Sequence, residues 1–175
     1  MARLYLLIDG YNLLHAVGPT KNRRAGDTDR NRYQLLQQLH ERLNPALHGD
    51  TVVVFDGIED EKRPQSRTIG SITIRFAGTA SDADSEIERL LASHSSPKQV
   101  LIVSSDHRLH KAARRRRATA IDSDAFWDLI EDSDANELQS SIELLRNKTR
   151  ALDTSKPDDP YEIELPDDFL DFDSR

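Results

Sequence analysis

Leu4-Tyr5-Leu6-Leu7-Ile8-Asp9-Gly10-Tyr11-Asn12 is the stretch on which the fold turns. An aliphatic-rich run closed by Asp-Gly reads as a strand buried on both faces, as in a parallel sheet, ending in a tight turn. Residues 4–8 are the longest apolar run in the chain, far short of the roughly 20 residues that a membrane-spanning helix needs. Asp9 follows at once and no small-residue cleavage site is present, so the run does not read as a signal peptide and a cytoplasmic location is expected.

Residues 51–55, 71–76 and 100–104 have the same character: rich in Val, Ile and Leu and bounded by Gly, Asp or Pro. Residues 118–121 are a candidate fifth strand. Between these runs, Leu35, Leu36, Leu39 and Leu43 repeat at helical spacing, as do Ile87, Leu90 and Leu91, and Phe126, Leu129 and Ile130. A basic helix is expected from about residue 107 to 117. Strands alternating with helices imply an α/β fold, a doubly wound and mainly parallel sheet flanked by helices. A further amphipathic helix is expected over 135–152, followed by a linker over 154–160. The chain therefore divides into one domain, residues 1–152, and an acidic, apolar-studded tail, residues 153–175. No internal repeat is present.

The 175 residues suffice for one domain with a substantial core and hence one active site. The chain has no cysteine, so any metal must be held by oxygen or histidine, which favours hard cations such as Mg2+ or Mn2+. The net charge of −7 is unevenly distributed. Residues 151–175 hold nine acidic residues against Lys156 and Arg175, leaving 22 of each sign in the body. The body can therefore present separate basic and acidic faces to a polyanion.

In an open parallel sheet, ligands bind beyond the carboxyl ends of the strands. Here those positions are acidic: Asp9 follows the first strand, Asp56 the second and Asp106 the fourth, while the helix after the third strand opens Ser81-Asp82-Ala83-Asp84. Carboxylates gathered in one cleft repel each other unless cations neutralise them. Two oxygen-ligated divalent ions would do so, and such a pair cleaves phosphodiesters in line, one ion activating water and the other steadying the leaving oxygen. Each residue also has a plainer reading. Asp56 before Gly57 could form a turn, Ser81 or Asp82 could cap the helix, and Asp84 and Glu88 share a helix face. Asn12 could orient a carboxylate or a phosphate, or cap the following helix. Ser104 and Ser105 could bind a phosphate or satisfy the loop backbone.

Taken in order and spacing, Asp9-Gly-Tyr-Asn12, Val54-Phe55-Asp56-Gly57, Ala83-Asp84-Ser85-Glu86-Ile87-Glu88 and Val103-Ser104-Ser105-Asp106 resemble the YacP-like NYN domains of the PIN-like nuclease superfamily. The resemblance covers roughly residues 3–132. It implies a PIN-like α/β/α sandwich and Mg2+- or Mn2+-dependent endonucleolytic cleavage of RNA. By motif, it implies that Asp9, Asp84 and Asp106 are the core metal-binding carboxylates, with Asn12 and Asp56 in support and Asp82 as a neighbour. The run Ala112-Ala113-Arg114-Arg115-Arg116-Arg117-Ala118 departs from the family pattern, standing where a helix end and a glycine-containing turn are expected.

Arg108, Lys111 and Arg114–Arg117 form the strongest basic cluster, immediately downstream of Asp106, and phosphate charge favours such a patch. Lys21, Arg23 and Arg24 after Asn12, and Lys62, Arg63 and Arg67 after Asp56, are further candidates on loops expected to ring the same sheet edge. The four-arginine run also suits a solvated helix end, stabilised by the dipole. Tyr11 could stack on a base or lie buried beneath the site. His15, His107 and His110 read by default as surface or structural residues.

Rival readings are weaker. A haloacid dehalogenase-like phosphatase needs a second Asp where this chain has Tyr11, and no phosphate-binding glycine motif occurs. A non-catalytic RNA-binding or scaffold protein keeping the fold is expected to lack a core carboxylate, and none is missing. The tail, with six large apolar residues among its acids, is a candidate to dock on the chain's own basic patch or on a protein partner.

Overall fold

Strand β1, Tyr5–Asp9, lies at the centre of the molecule because its Leu6, Leu7 and Ile8 are fully buried from both sides. The computed structural model describes residues 4–17, 27–57 and 66–132, together with 140, 141, 144 and 147. After β1 come α1 (Gly10–Val17), α2 (Asp27–Arg42), α3 (Pro45–His48) and β2 (Thr51–Phe55). They are followed by β3 (Ser66–Ile69), β4 (Ile72–Phe76), α4 (Ala83–Ser93) and β5 (Val100–Val103). The described elements end with α5 (His107–Arg115), β6 (Thr119–Ile121) and α6 (Ser123–Asp132).

The strands form one sheet of order β3-β4-β2-β1-β5-β6, parallel throughout except for β3, which runs antiparallel to β4. Side-chain alternation along each strand distributes the apolar residues to two cores. Leu6, Ile8, Val53, Phe55, Leu101 and Val103 face α1, α2, α3 and α6 through Leu13, Leu35, Leu39, Leu47 and Phe126. Leu7, Val52, Val54 and Ile102 face α4 and α5 through Ile87, Leu91, Leu109 and Ala113. The result is the expected helix–sheet–helix sandwich.

The chain builds outward from β1 to β2 and β4, then returns to place β5 on the other flank of β1. The strand order thus reverses between β1 and β5, which puts the crevice of an open α/β sheet at the end of Asp9 and at the loop after Val103.

Several expected bounds shift: the strand expected over 100–104 ends at Val103 and the one expected over 118–121 starts at Thr119. The third strand starts at Ile72 rather than residue 71, and β3 precedes it as an antiparallel edge strand that no hydrophobic run announced. The turn between them is Gly70-Ser71, with Gly70 at φ 57°, a conformation that glycine takes without a Cβ penalty and in which a Cβ would press on the His40 ring. The basic helix ends at Arg115, two residues early. Of the helix expected over 135–152, residues 140, 141, 144 and 147 are helical and the rest lies outside the described residues, as do the boundary at 152 and the whole tail. Among the described residues, no helix is long and apolar enough to cross a membrane.

Candidate functional site

Asp9 ends β1 and opens α1, and it is almost fully buried at 8% exposure. Its Oδ1 accepts the backbone N–H of Asn12 at 3.0 Å, and its Oδ2 accepts the hydroxyl of Ser104 at 3.4 Å. Burial pushes its carboxyl above the ordinary range and Asp56 adds to the rise, against the lowering effect of the Asn12 and Ser104 bonds.

Ser104, also fully buried, carries the network onward, because its Oγ accepts the backbone N–H of Asp106 at 3.1 Å. Asp106 is the N-cap of α5 and its Oδ1 accepts the N–H of Arg108 at 2.6 Å. One serine thus links a carboxylate on β1 to the turn after β5 that carries another.

Asn12 lies inside α1, so it is not that helix's cap. Its Oδ1 instead accepts two hydrogen bonds from distant chain, the backbone N–H of Ser105 at 3.0 Å and the hydroxyl of buried Ser123 at 2.9 Å. The N–H of Ser123 in turn donates to Oγ of Ser105 at 3.1 Å. Asn12 therefore ties the end of β1, the loop after β5 and the start of α6 together.

The third carboxylate of the trio, Asp84, lies in the first turn of α4. Partial burial and the neighbouring Asp106 and Asp9 push its pKa up to about 6, while Arg108 pulls the other way. Two further aspartates place this helix. Asp56, beyond β2, accepts the N–H of Ala83 at 2.6 Å, and Asp82 is the N-cap, accepting the N–H of Ser85 at 2.7 Å. The bonds from Ser85, with Arg108 nearby, hold the Asp82 carboxyl below its usual range. Carboxylates at a helix N-terminus are stabilised by its free N–H groups and dipole.

The basic candidates divide. Arg108 lies at the carboxyl edge, where Nε and Nη2 donate to the two oxygens of Glu88 at 2.9 and 3.1 Å and Nη2 donates to Ser85 Oγ at 3.0 Å. Its Nη1 is 3.7 Å from Asp82 and 3.9 Å from Asp84. Lys111 is exposed along α5. Arg114–Arg117 are exposed at the far end of α5, which runs back toward the amino edge of the sheet, and Arg116 donates to the carbonyl of Ala92 at the end of α4. Arg117 occupies the left-handed conformation, φ 57°, of a helix C-terminal turn closed by Ala118 N–H on the Ala113 carbonyl at 2.9 Å. This is the turn where glycine was expected. Lys21, Arg23, Arg24, Lys62 and Arg63 lie outside the described residues, as does the side chain of Arg67.

Tyr11 is half-buried, edge-on to Phe55, with its hydroxyl accepting from Arg32 at 3.1 Å. His15 and His107 are exposed, and His110 Nε2 is 2.6 Å from the Ser104 carbonyl and 3.3 Å from Asp122. Sequence reasoning missed Glu88's grip on Arg108 and the part of Ser123. The rule that residues after strand ends face the crevice, carried to the strand 118–121, would have reached Ser123.

The donors here are hard carboxylate oxygens, and Asp84 is held above the ordinary range first by burial and then by the charges of Asp106 and Asp9, a repulsion that a divalent cation relieves. Donor type and charge therefore fit such an ion. Among the described residues, no three Asp, Glu or His side chains already stand as a closed ligand set. Several of these oxygens are engaged on helix N–H groups instead.

The family model described as the YacP-like NYN domain matches residues 6–162. Two crystal structures of Rae1 (YacP) from Bacillus subtilis share the fold. One, of a point variant, has a TM-score of 0.56 and 23% identity over 87% of this chain and 85% of that one. The other has a TM-score of 0.59 and 23% identity over 87% of this chain and 83% of that one. Among curated proteins, none matches the chain significantly.

Proposed function

Since the chain belongs to the YacP-like NYN domain family, and so carries a nuclease-family fold, we propose that it is a Mg2+- or Mn2+-dependent endoribonuclease acting in the cytoplasm. The observation that carries this reading is that Asp9 and Asp106 follow the two strands between which the strand order reverses, while burial and the charges of these same two residues raise Asp84 to about 6.

In this reading, Asp9, Asp84 and Asp106 hold the divalent ion, which when bound supplies Lewis acidity toward water and the scissile phosphate. The protein's own work is placement. Ser104 fixes Asp9 relative to the loop of Asp106, Asn12 locks that loop to α6, and Asp56 and Asp82 anchor the first turn of α4, which carries Asp84. Pre-set carboxylates avoid the reorganisation that a flexible site would need during the reaction. Burial of Asp9 keeps bulk water away from one wall of the cluster.

The test is cleavage of end-labelled RNA in Mn2+, Mg2+ or EDTA by the wild type and by Asp9→Asn. Internal cleavage that needs metal and is lost in the variant supports the proposal. Cleavage indifferent to both chelation and the substitution contradicts the metal mechanism, and RNA binding without cleavage favours the non-catalytic alternative.

A further inference from the structure

Arg108 is a candidate for RNA contact, yet its short side-chain hydrogen bonds are spent along the exposed α4–α5 seam. Two go to the carboxylate of Glu88 and one to the hydroxyl of Ser85. We propose that Arg108 is a positioning residue, which clamps the first turn of α5 onto α4 and so sets where Asp106 stands relative to Asp84. The inference rests on the reading of these carboxylates as a cation site.

The geometry forms a closed chain of rigid links. Asp84 and Glu88 are four residues apart on α4, one helical turn on the same face. Glu88 receives the guanidinium in a two-pronged bond, and planar Arg suits that fork whereas the point charge of Lys does not. Arg108 is then tied back to Asp106 through its own backbone N–H, which the Asp106 carboxylate accepts. Side chain and backbone of one residue thereby connect both helices that carry ligands. The approaches to Asp82 and Asp84, at 3.7 and 3.9 Å, are longer than those to Glu88.

Two other roles for the same arginine give opposite signs. A cation that merely competes with the metal would, once removed, leave tighter metal binding. An RNA contact would, once removed, weaken RNA binding in the absence of metal. A clamp, once removed, weakens metal binding and leaves metal-free RNA binding alone.

The full chain and its Arg108→Ala, Arg108→Lys and Glu88→Gln variants are compared in three ways. These are Mn2+ uptake followed by the electron paramagnetic resonance signal of free Mn2+, RNA affinity in EDTA, and backbone hydrogen exchange of residues 107–110 without metal. All three variants are expected to weaken Mn2+ uptake by about ten- to a hundredfold, the cost usual for groups that orient metal ligands. RNA affinity in EDTA stays unchanged, and exchange at 107–110 rises in Arg108→Ala. Tighter Mn2+ uptake in Arg108→Ala, full rescue by Lys, or a loss of RNA affinity with Mn2+ uptake unchanged overturns the proposal. If the wild type takes up no Mn2+, the cation reading itself fails, and unchanged exchange at 107–110 then separately overturns the clamp.

Discussion

Oδ1 of Asn12 accepts the hydroxyl of Ser123 at 2.9 Å across 111 residues of chain, and the same oxygen accepts the N–H of Ser105. Asn12→Ala removes the acceptor of both donors, the exposed Ser105 N–H and the hydroxyl of a fully buried serine. A loss of about 1–3 kcal/mol is expected, against about 1 kcal/mol for Ser123→Ala, which removes only one bond. Urea denaturation measures both. An unchanged midpoint for Asn12→Ala would mean that the hub does not hold the loop.

Gly10 allows Phe55 to pack beneath the turn from β1 into α1. A Cβ at Gly10 would stand 2.3 Å from Cε1 of Phe55, a fully buried ring with Asp56 next in the chain. Gly10→Ala is therefore expected to destabilise by about 1–3 kcal/mol through overpacking and to slow cleavage by displacing the end of β2. Wild-type stability in this variant would contradict the tight approach.

These relationships explain how much was legible beforehand. β1, β2 and β5 are buried on both faces, so their composition alone marks them, and the acidic residues after them follow from the chain order. β3 was not legible, because Ser66-Arg67-Thr68-Ile69 is an edge strand with little need for apolar residues. Its one signal was Gly70-Ser71 between short β-prone runs. The dual use of Asp82 and Asp106 as helix caps was foreseeable from position, and the cap at Asp82 was foreseen. The partnerships of Asn12 with Ser123 and of Arg108 with Glu88 depend on how α6 meets α1 and how α5 meets α4, which local pattern does not encode.

The raised pKa of Asp84 has a stability consequence of definite sign. With a folded value of about 6 against an ordinary 3.8, the folded protein keeps this proton over a window in which the unfolded chain has lost it. Stability of the metal-free protein is therefore expected to fall as pH rises through that window and to level off above it. Asp84→Asn should flatten the fall and raise stability at neutral pH, with Asp9, whose carboxyl burial also raises, leaving a residual slope. Urea midpoints in EDTA across the window measure this, and a slope unaltered by the substitution would contradict it.

Arg117 adopts a left-handed conformation that glycine takes without a Cβ penalty. Arg117→Gly is expected to raise stability by up to about 1 kcal/mol, with the denaturant m-value unchanged. A lower midpoint would show that the arginine side chain contributes more than its backbone costs.

If Asp9, Asp84 and Asp106 act as one cation-dependent centre, Mn2+ uptake must depend on all three, which the wild type and the single variants Asp9→Asn, Asp84→Asn and Asp106→Asn measure. Uptake by the wild type and a loss of about tenfold or more in each variant are expected, with the metal-dependent cleavage of RNA lost in parallel. Equal uptake by all four proteins would contradict a shared centre.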